Sequence, residues 1–405
     1  MNTVVSNIQI LRAVAAQSVA TYHLQPMINA SFGTDLKLPV GAMGVDIFFV
    51  ISGFIMFYTN HRSDRTATEF LANRFIRIAP LYWLATGCIA VLFVLGFHPN
   101  GLHHLTPEIF IRSLMFIRSD FPDGRTDLVL SLGWTLIYEL FFYTLFATTL
   151  AVSSTTFRLL IITTLLSVAV TTRFAFTLFS EPPPLLCSTI LFEFWFGCAL
   201  ASLYLMWKPM RSRSMLIVAT GTLVLGIALS IQGAAFHQER LDEWRVVYFG
   251  IPALLIVSAA LLYERIGLRG TNRIALLLGA ASYSLYLFHP ILLQSTVKIT
   301  ARLLPSNSDL SPILAALSAS AVAIAASILI YLQIEKRILR AGHNFTKKLN
   351  RNRVVTSGID NTKLHAQIST AASTTISRLT DLELQVTSSG YSLNNTEHSS
   401  DTTRT

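Results

Sequence analysis

The sequence predicts an all-α, polytopic integral membrane bundle of about ten transmembrane helices, followed by a disordered C-terminal tail. Three observations predict it. The 405-residue chain is 52% hydrophobic and only 13% charged, where a soluble domain is about 25% charged. Its mean hydropathy is +0.53. Its apolar residues gather in runs close to the roughly 20 residues that a helix needs to cross a bilayer. The net charge of +9 would point to nucleic acid in a soluble protein. Here the cations lie between apolar runs, so the lipid bilayer is the expected partner and nucleic acid is not. Cys88, Cys187 and Cys198 sit in apolar runs without C-x-x-C spacing and read as packing residues.

The first run, about 7–28, lacks a basic leader and a small-residue cleavage site and reads as an anchor. It carries Arg12 and His23 among alanines and valines. A charge at mid-membrane costs roughly 2.5–3.5 kcal/mol on insertion scales, so a retained Arg12 is expected to be used. Eleven helical steps return His23 to within about 20° of the Arg12 face and about 16 Å further along the axis. The second run, about 41–59, begins GAMGVDIFFVISGFIMF. Asp46 caps that helix or pairs with a buried cation or imidazole. The short loop between the first two runs puts it within reach of His23. Ser52 and Gly53 permit close helix approach.

The third run, about 79–97, is introduced by FLANRFIRIAPLYW. Arg74 and Arg77 stand one turn apart, as boundary anchors or as a phosphate site of two guanidiniums. Thr106 to Ile117 is too short to span and belongs at the interface. His103 and His104 have no carboxylates or thiols at ligand spacing, so no metal site is expected. The fourth run, about 128–150, contains SLGWTLIYELFFY. Glu139 there needs a partner or a cavity, and Tyr143 is one turn away on the same face. The fifth and sixth runs lie at about 157–177 and 185–206, the sixth with Glu193 beside Trp195. The seventh, eighth and ninth lie at about 214–232, 246–263 and 276–297. The ninth contains GAASYSLYLFHP, with Ser282, Tyr283, Tyr286 and His289. His289 is an interfacial group or a supporting site residue. The tenth lies at about 311–334. Pro80, Pro252 and Pro290 fall where they can kink helices.

Loops after even-numbered runs hold Arg62, Arg65, Arg74 and Arg77, then Lys208, Arg211 and Arg213, then Arg265, Arg269 and Arg273. Lys336, Arg337, Arg340, Lys347 and Lys348 follow the last run. The other loops are sparser and mixed in sign, as in His237–Arg245. The positive-inside rule then puts both termini in the cytoplasm of a multi-pass inner-membrane protein. Residues 1–340 form the membrane domain. Residues 341–405 are rich in Ser, Thr and Asn and read as a mostly disordered cytoplasmic tail, with a weak amphipathic pattern at Leu364, Ile368, Leu379, Leu382 and Val386. No internal repeat is found in the sequence.

Taken in order, these motifs resemble the membrane-bound acyltransferase-3 family, and within it the exopolysaccharide-production acetyltransferases. The resemblance runs over about residues 5–340. It rests on Arg12-x10-His23, GVDIFFVISGF, RFIR with RIAPLYW, Trp134-x4-Glu139, FWFG, SYSLYLFHP and Glu335-Lys336. Thr135 stands where serine is frequent, and RFIR lacks an adjacent second arginine. The resemblance implies a membrane O-acyltransferase that moves an acetyl group from acetyl-CoA to a hydroxyl of a surface-glycan sugar. No cofactor is permanently bound; acyl-CoA is the donor substrate. His23 maps to the catalytic histidine, and Arg12, Arg74 and Arg77 to the groups that hold the donor. Asp46 would orient the imidazole. Glu139, Tyr143, Tyr283 and His289 would support the site, with Tyr22, Tyr143 and Tyr283 as oxyanion donors to choose from. Direct transfer and an acetyl-histidine intermediate both stay open. Polysaccharide-export machinery is a candidate partner. A transporter or glycan flippase is the rival class, because buried charges also mark substrate paths.

Overall fold

A computed structural model describes residues 5–61, 66–178, 188–208, 212–236, 244–305, 308–342, 344 and 346. Arg62, Arg65, Cys187, Arg211, His237, Lys347, Lys348 and the tail at 353–405 lie outside the described residues. The chain divides into two units, Met1–Gly342 and His343–Thr405. All the helices below belong to the first.

Helix α1, Ser6–Phe32, runs 27 residues and stops at Gly33, whose φ of +68° suits a glycine. A 3-10 turn at Pro39–Met43 leads into α2, Gly44–Asn60. A Cβ on Gly41 or Gly44 would lie 2.6 Å from the Ser18 carbonyl or 2.3 Å from that of Ala15, so these glycines let the turn rest on the α1 backbone. Helix α3, Ala67–Val94, is started by Thr66, whose hydroxyl accepts from the Glu69 N–H at 3.2 Å. It begins about a dozen residues before the expected run, which places Arg74 and Arg77 on the helix and not in a loop.

The segment expected at the interface forms α4, Pro107–Leu114, capped by Thr106. The chain then tucks back against α3. The Tyr82 hydroxyl donates to the Ser113 carbonyl at 3.0 Å, and Phe116 stacks on Tyr82 with centroids 4.6 Å apart. A two-stranded antiparallel hairpin pairs Ser119 with Asp127 and Asp120 with Thr126. Helices α5 (Gly133–Thr148), α6 (Thr155–Leu178), α7 (Leu191–Met206) and α8 (Arg213–Phe236) follow. A π-turn at Val246–Gly250 enters α9, Ile251–Arg265. Helices α10 (Arg273–Ala280) and α11 (Ser282–Leu303) meet at a 72° bend. Helix α12, Leu310–Ile330, continues through a π-turn at Tyr331–Glu335.

Each of the ten expected runs therefore coincides with helix. Among the described residues, six helices are long and apolar enough to cross a membrane, and the bent α10–α11 pair makes a seventh. Helix α1 is long enough but diluted by Gln9, Arg12, Gln17, His23 and Gln25. Helices α5 and α7 have 16 residues each, about 24 Å against a hydrocarbon core of about 30 Å. A count of ten spans stays an expectation.

Helix α2 is central, with 72% of its apolar stretch buried, against 17% for Arg213–Ala235 at the periphery. Exposed side chains such as Ile217 and Leu317 suit a lipid-facing surface. A Cβ on Gly53 would stand 1.9 Å from the Phe194 carbonyl, and one on Gly197 2.0 Å from that of Val50. Reciprocal glycines thus bring α2 and α7 into backbone contact. Helices α1, α3 and α11 run in one direction. Tyr283 of α11 meets Ile78, and Lys298, four turns on, lies over the Phe97 ring at 4.5 Å.

Candidate functional site

The arginine of α1 does not face lipid. Arg12 lines a cavity of about 90 Å³ between α1, α2, α3, α5 and α11. Its Nη1 donates to Gln9 Oε1 at 3.2 Å. Arg74 and Arg77 enter the same cavity from α3. The Arg74 guanidinium lies over the Phe70 ring at 5.3 Å and over Tyr143 at 5.6 Å, which holds its position by cation–π attraction.

Two carboxylates balance these cations in part. Glu139 lines the cavity from α5 and accepts from Ser52 Oγ at 3.0 Å and from the Tyr143 hydroxyl. The intramembrane carboxylate thus has both a cavity and partners, as the sequence required. Glu335 accepts from Ser284 Oγ at 2.5 Å. Arg12 experiences Arg77 as repulsion and Glu335 and Glu139 as attraction. Among the described residues that line the cavity, three guanidiniums face the single carboxylate of Glu139, with Glu335 acting on Arg12 from outside the lining, and this favours an anion there. Ser282 Oγ also reaches this cavity, fully buried and with no hydrogen-bond partner among the described residues. The Tyr283 hydroxyl donates to the Ile78 carbonyl at 2.8 Å, and the Tyr286 hydroxyl pairs with Thr135 Oγ1 at 2.8 Å. Both tyrosines are thereby tied to their positions on the wall.

Further along α1, the His23 ring faces His289 of α11, with centroids 5.3 Å apart and planes tilted by 40°. His289 is fully buried. Its Nδ1–H donates to the Leu285 carbonyl at 3.1 Å, while Nε2 has no hydrogen-bond partner among the described residues. The half-exposed Tyr22 ring meets His23 edge-on at 5.2 Å. Arg12 and His23 therefore both face α11. The cation cluster meets its start and the imidazole meets its middle, about 10 Å further along from Ser282.

Asp46 does not join the histidines. It is fully buried and accepts from Arg245 through both oxygens, from Nε at 2.9 Å and from Nη2 at 2.8 Å. No hydrogen bond or ion pair joins it to His23 among the described residues. A guanidinium fork neutralises a buried carboxylate better than an imidazole can, so the expected imidazole-orienting role of Asp46 is corrected. Glu193, also fully buried, adds a second carboxyl beside Asp46. Arg245 lies 6.0 Å from the Trp134 ring and 5.7 Å from Phe249. Sequence reasoning missed Arg245, counting it only in a loop of mixed charge. The available signal was Asp46 itself, since a carboxylate in an apolar helix demands a cation.

The fold is that of a helical membrane protein, and the comparisons with known proteins place it among the acyltransferases. The family model described as "Acyltransferase domain", acyltransferase-3, matches residues 5–332, and the chain belongs to that family. It is 32% identical over 339 residues to the exopolysaccharide production protein ExoZ of Rhizobium meliloti (strain 1021), covering 82% of this chain and 98% of the relative. No solved structure matches it.

Proposed function

We propose that this protein is an O-acyltransferase that moves an acetyl group from acetyl-CoA to a sugar hydroxyl of an exopolysaccharide or related surface glycan, with His23 as general base. Membership of an acyltransferase family favours transfer over the transporter reading, and the name of the ExoZ relative supplies the acceptor class. The observation that carries the mechanism is that Arg12 and His23 share the face of α1 turned to α11. The donor's phosphates bind Arg12, Arg74 and Arg77 from the cytoplasmic side. The cavity of about 90 Å³ is small beside a whole nucleotide. It suits a phosphate group, and the adenosine end stays outside. The pantetheine arm runs along α1 over the roughly 16 Å to His23.

His23 removes the hydroxyl proton as the sugar oxygen attacks the thioester carbonyl. The ester C–O bond forms, the C–S bond breaks, and the imidazolium returns its proton to the departing thiolate. His23→Ala is expected to abolish transfer, with at least a 100-fold loss in kcat, while the protein still purifies as a folded species. The measurement is radiolabel passing from acetyl-CoA to glycan, paired with mass spectrometry of the host's exopolysaccharide. Wild-type acetylation by a well-folded His23→Ala protein rules out His23 as the base.

A further inference from the structure

We infer that His289 is the positioning residue of His23: a turn of the His23 ring brings its N–H onto the buried His289 Nε2, and that bond keeps the other His23 nitrogen free as the base. The inference rests on the reading of His23 as base and adds the group that orients it, a role that Asp46 cannot fill while Arg245 holds it.

The tautomer of His289 is set by its own helix. A carbonyl oxygen only accepts, so the contact with Leu285 puts the hydrogen on Nδ1. The next carbonyl along the helix is that of Tyr286. In an unbroken helix that carbonyl would receive the N–H of residue 290. Residue 290 is proline and has none. The proline beside His289 thus leaves the Tyr286 carbonyl without its helical donor. With Nδ1 occupied, Nε2 carries a lone pair.

That lone pair is buried and unpartnered among the described residues. The ring opposite it is His23, at 5.3 Å between centroids. The two rings are not hydrogen-bonded to each other in this structure; ring nitrogens stand about one bond length from each centroid, so a turn of the His23 ring brings two of them to about 3 Å, a hydrogen-bonding separation. Among the described residues the other ring in contact with His289 is that of Tyr286, whose hydroxyl is engaged with Thr135. The N–H of His23 is the donor that fits.

The consequence is catalytic. A free imidazole divides between two tautomers, and one of them presents an N–H to the sugar hydroxyl. Accepting at one nitrogen of His23 selects the other tautomer. When His23 takes the hydroxyl proton, its contact with Nε2 becomes a charge-assisted hydrogen bond. His289 keeps its own proton throughout, and the proton taken by His23 leaves with the thiolate.

The test compares His289→Leu with His289→Gln in the full-length purified protein, reading kcat and both KM values, with His23→Ala alongside. His289→Leu is expected to lower kcat about 100-fold and to leave the donor KM within about 2-fold. The Gln amide oxygen can accept near the place of Nε2, so His289→Gln is expected to recover at least about 10-fold of that loss. A measurement on the wild type removes dependence on folding of the variants. Nitrogen-15 shifts of labelled histidine, with His23 assigned by its absence in His23→Gln, are expected to report one fixed tautomer at His23. Averaged tautomers there, a His289→Leu protein with unimpaired kcat, or a His289→Gln protein no better than a folded His289→Leu would overturn the inference. Transfer retained by His23→Ala would instead remove the underlying reading.

Discussion

A buried carboxylate takes the cation that packs against it, wherever in the sequence that cation lies. Asp46 and Arg245 are 199 residues apart, and nothing local marks them as a pair. Arg12 and His23 are eleven positions apart on one helix, so rotation per residue alone puts them on one face. This is why half of the site is legible in the sequence and the other half is not. The rotation that predicts the shared face of α1 says nothing of what α11 brings to it, and His289 is visible there only as a histidine near a span end. Removing one partner of the ion pair tests its weight. Asp46→Ala removes the two-oxygen acceptor of the Arg245 fork and is expected to destabilise the protein by about 3 kcal/mol. Asp46→Ala combined with Arg245→Leu is expected to cost less than the two changes summed. Thermal unfolding in detergent measures both. On the proposed reading, Arg74→Ala removes one charge-assisted phosphate contact of about 1.5–3 kcal/mol. It is expected to raise the donor KM about 10- to 100-fold with kcat nearly unchanged. A change confined to the acceptor KM would remove the phosphate assignment.

At the scale of elements, apolar runs and helices coincide because a bilayer leaves the backbone no other way to satisfy its own hydrogen bonds. The ends are set by local chemistry that run-counting does not weigh. Thr66 and Glu69 start α3 before the apolar stretch begins, and so Arg74 and Arg77 stand on a rigid helix, with Arg74 over the Tyr143 ring. Loop-borne arginines would lose side-chain and backbone freedom on binding an anion; these have already lost the backbone part. The contact between α2 and α7 has the opposite character. Gly53 is recognisable as a small residue, but its partner surface at Phe194 and the matching Gly197 emerge only from packing. Gly53→Ala would drive a methyl into the Phe194 carbonyl, with 1.9 Å available, and is expected to cost about 3 kcal/mol. Gly221→Ala meets nothing within 4 Å in the middle of α8. It is expected to be neutral or to stabilise by up to about 1 kcal/mol. Equal losses at the two positions, measured by thermal unfolding in the same detergent, would show that close approach is not what holds α2 to α7.

The whole molecule has a polarity that the two clusters turn into a direction for the reaction. Helices α1, α3 and α11 run parallel, and the cation cleft meets α1 and α11 nearer their N-terminal ends than the histidines do. Lys208, Arg265, Arg269, Arg273, Arg337 and Arg340 occur in connections that the positive-inside rule assigns to the same side. Acyl-CoA is a cytoplasmic, multiply charged molecule, so the proposed function requires the cleft to open to the cytoplasm. The histidine pair then lies deeper, toward the opposite face. Single cysteines in a background without Cys88, Cys187 and Cys198 decide this. Lys37→Cys, between α1 and α2, and His104→Cys, between α3 and α4, are expected to react with a membrane-impermeant maleimide added to intact cells. Lys208→Cys and Thr271→Cys, both exposed, are expected to react only after permeabilisation. The reverse pattern would put the three arginines out of reach of cytoplasmic acyl-CoA. The donor would then need another site, even with the family membership and the packing of every helix unchanged.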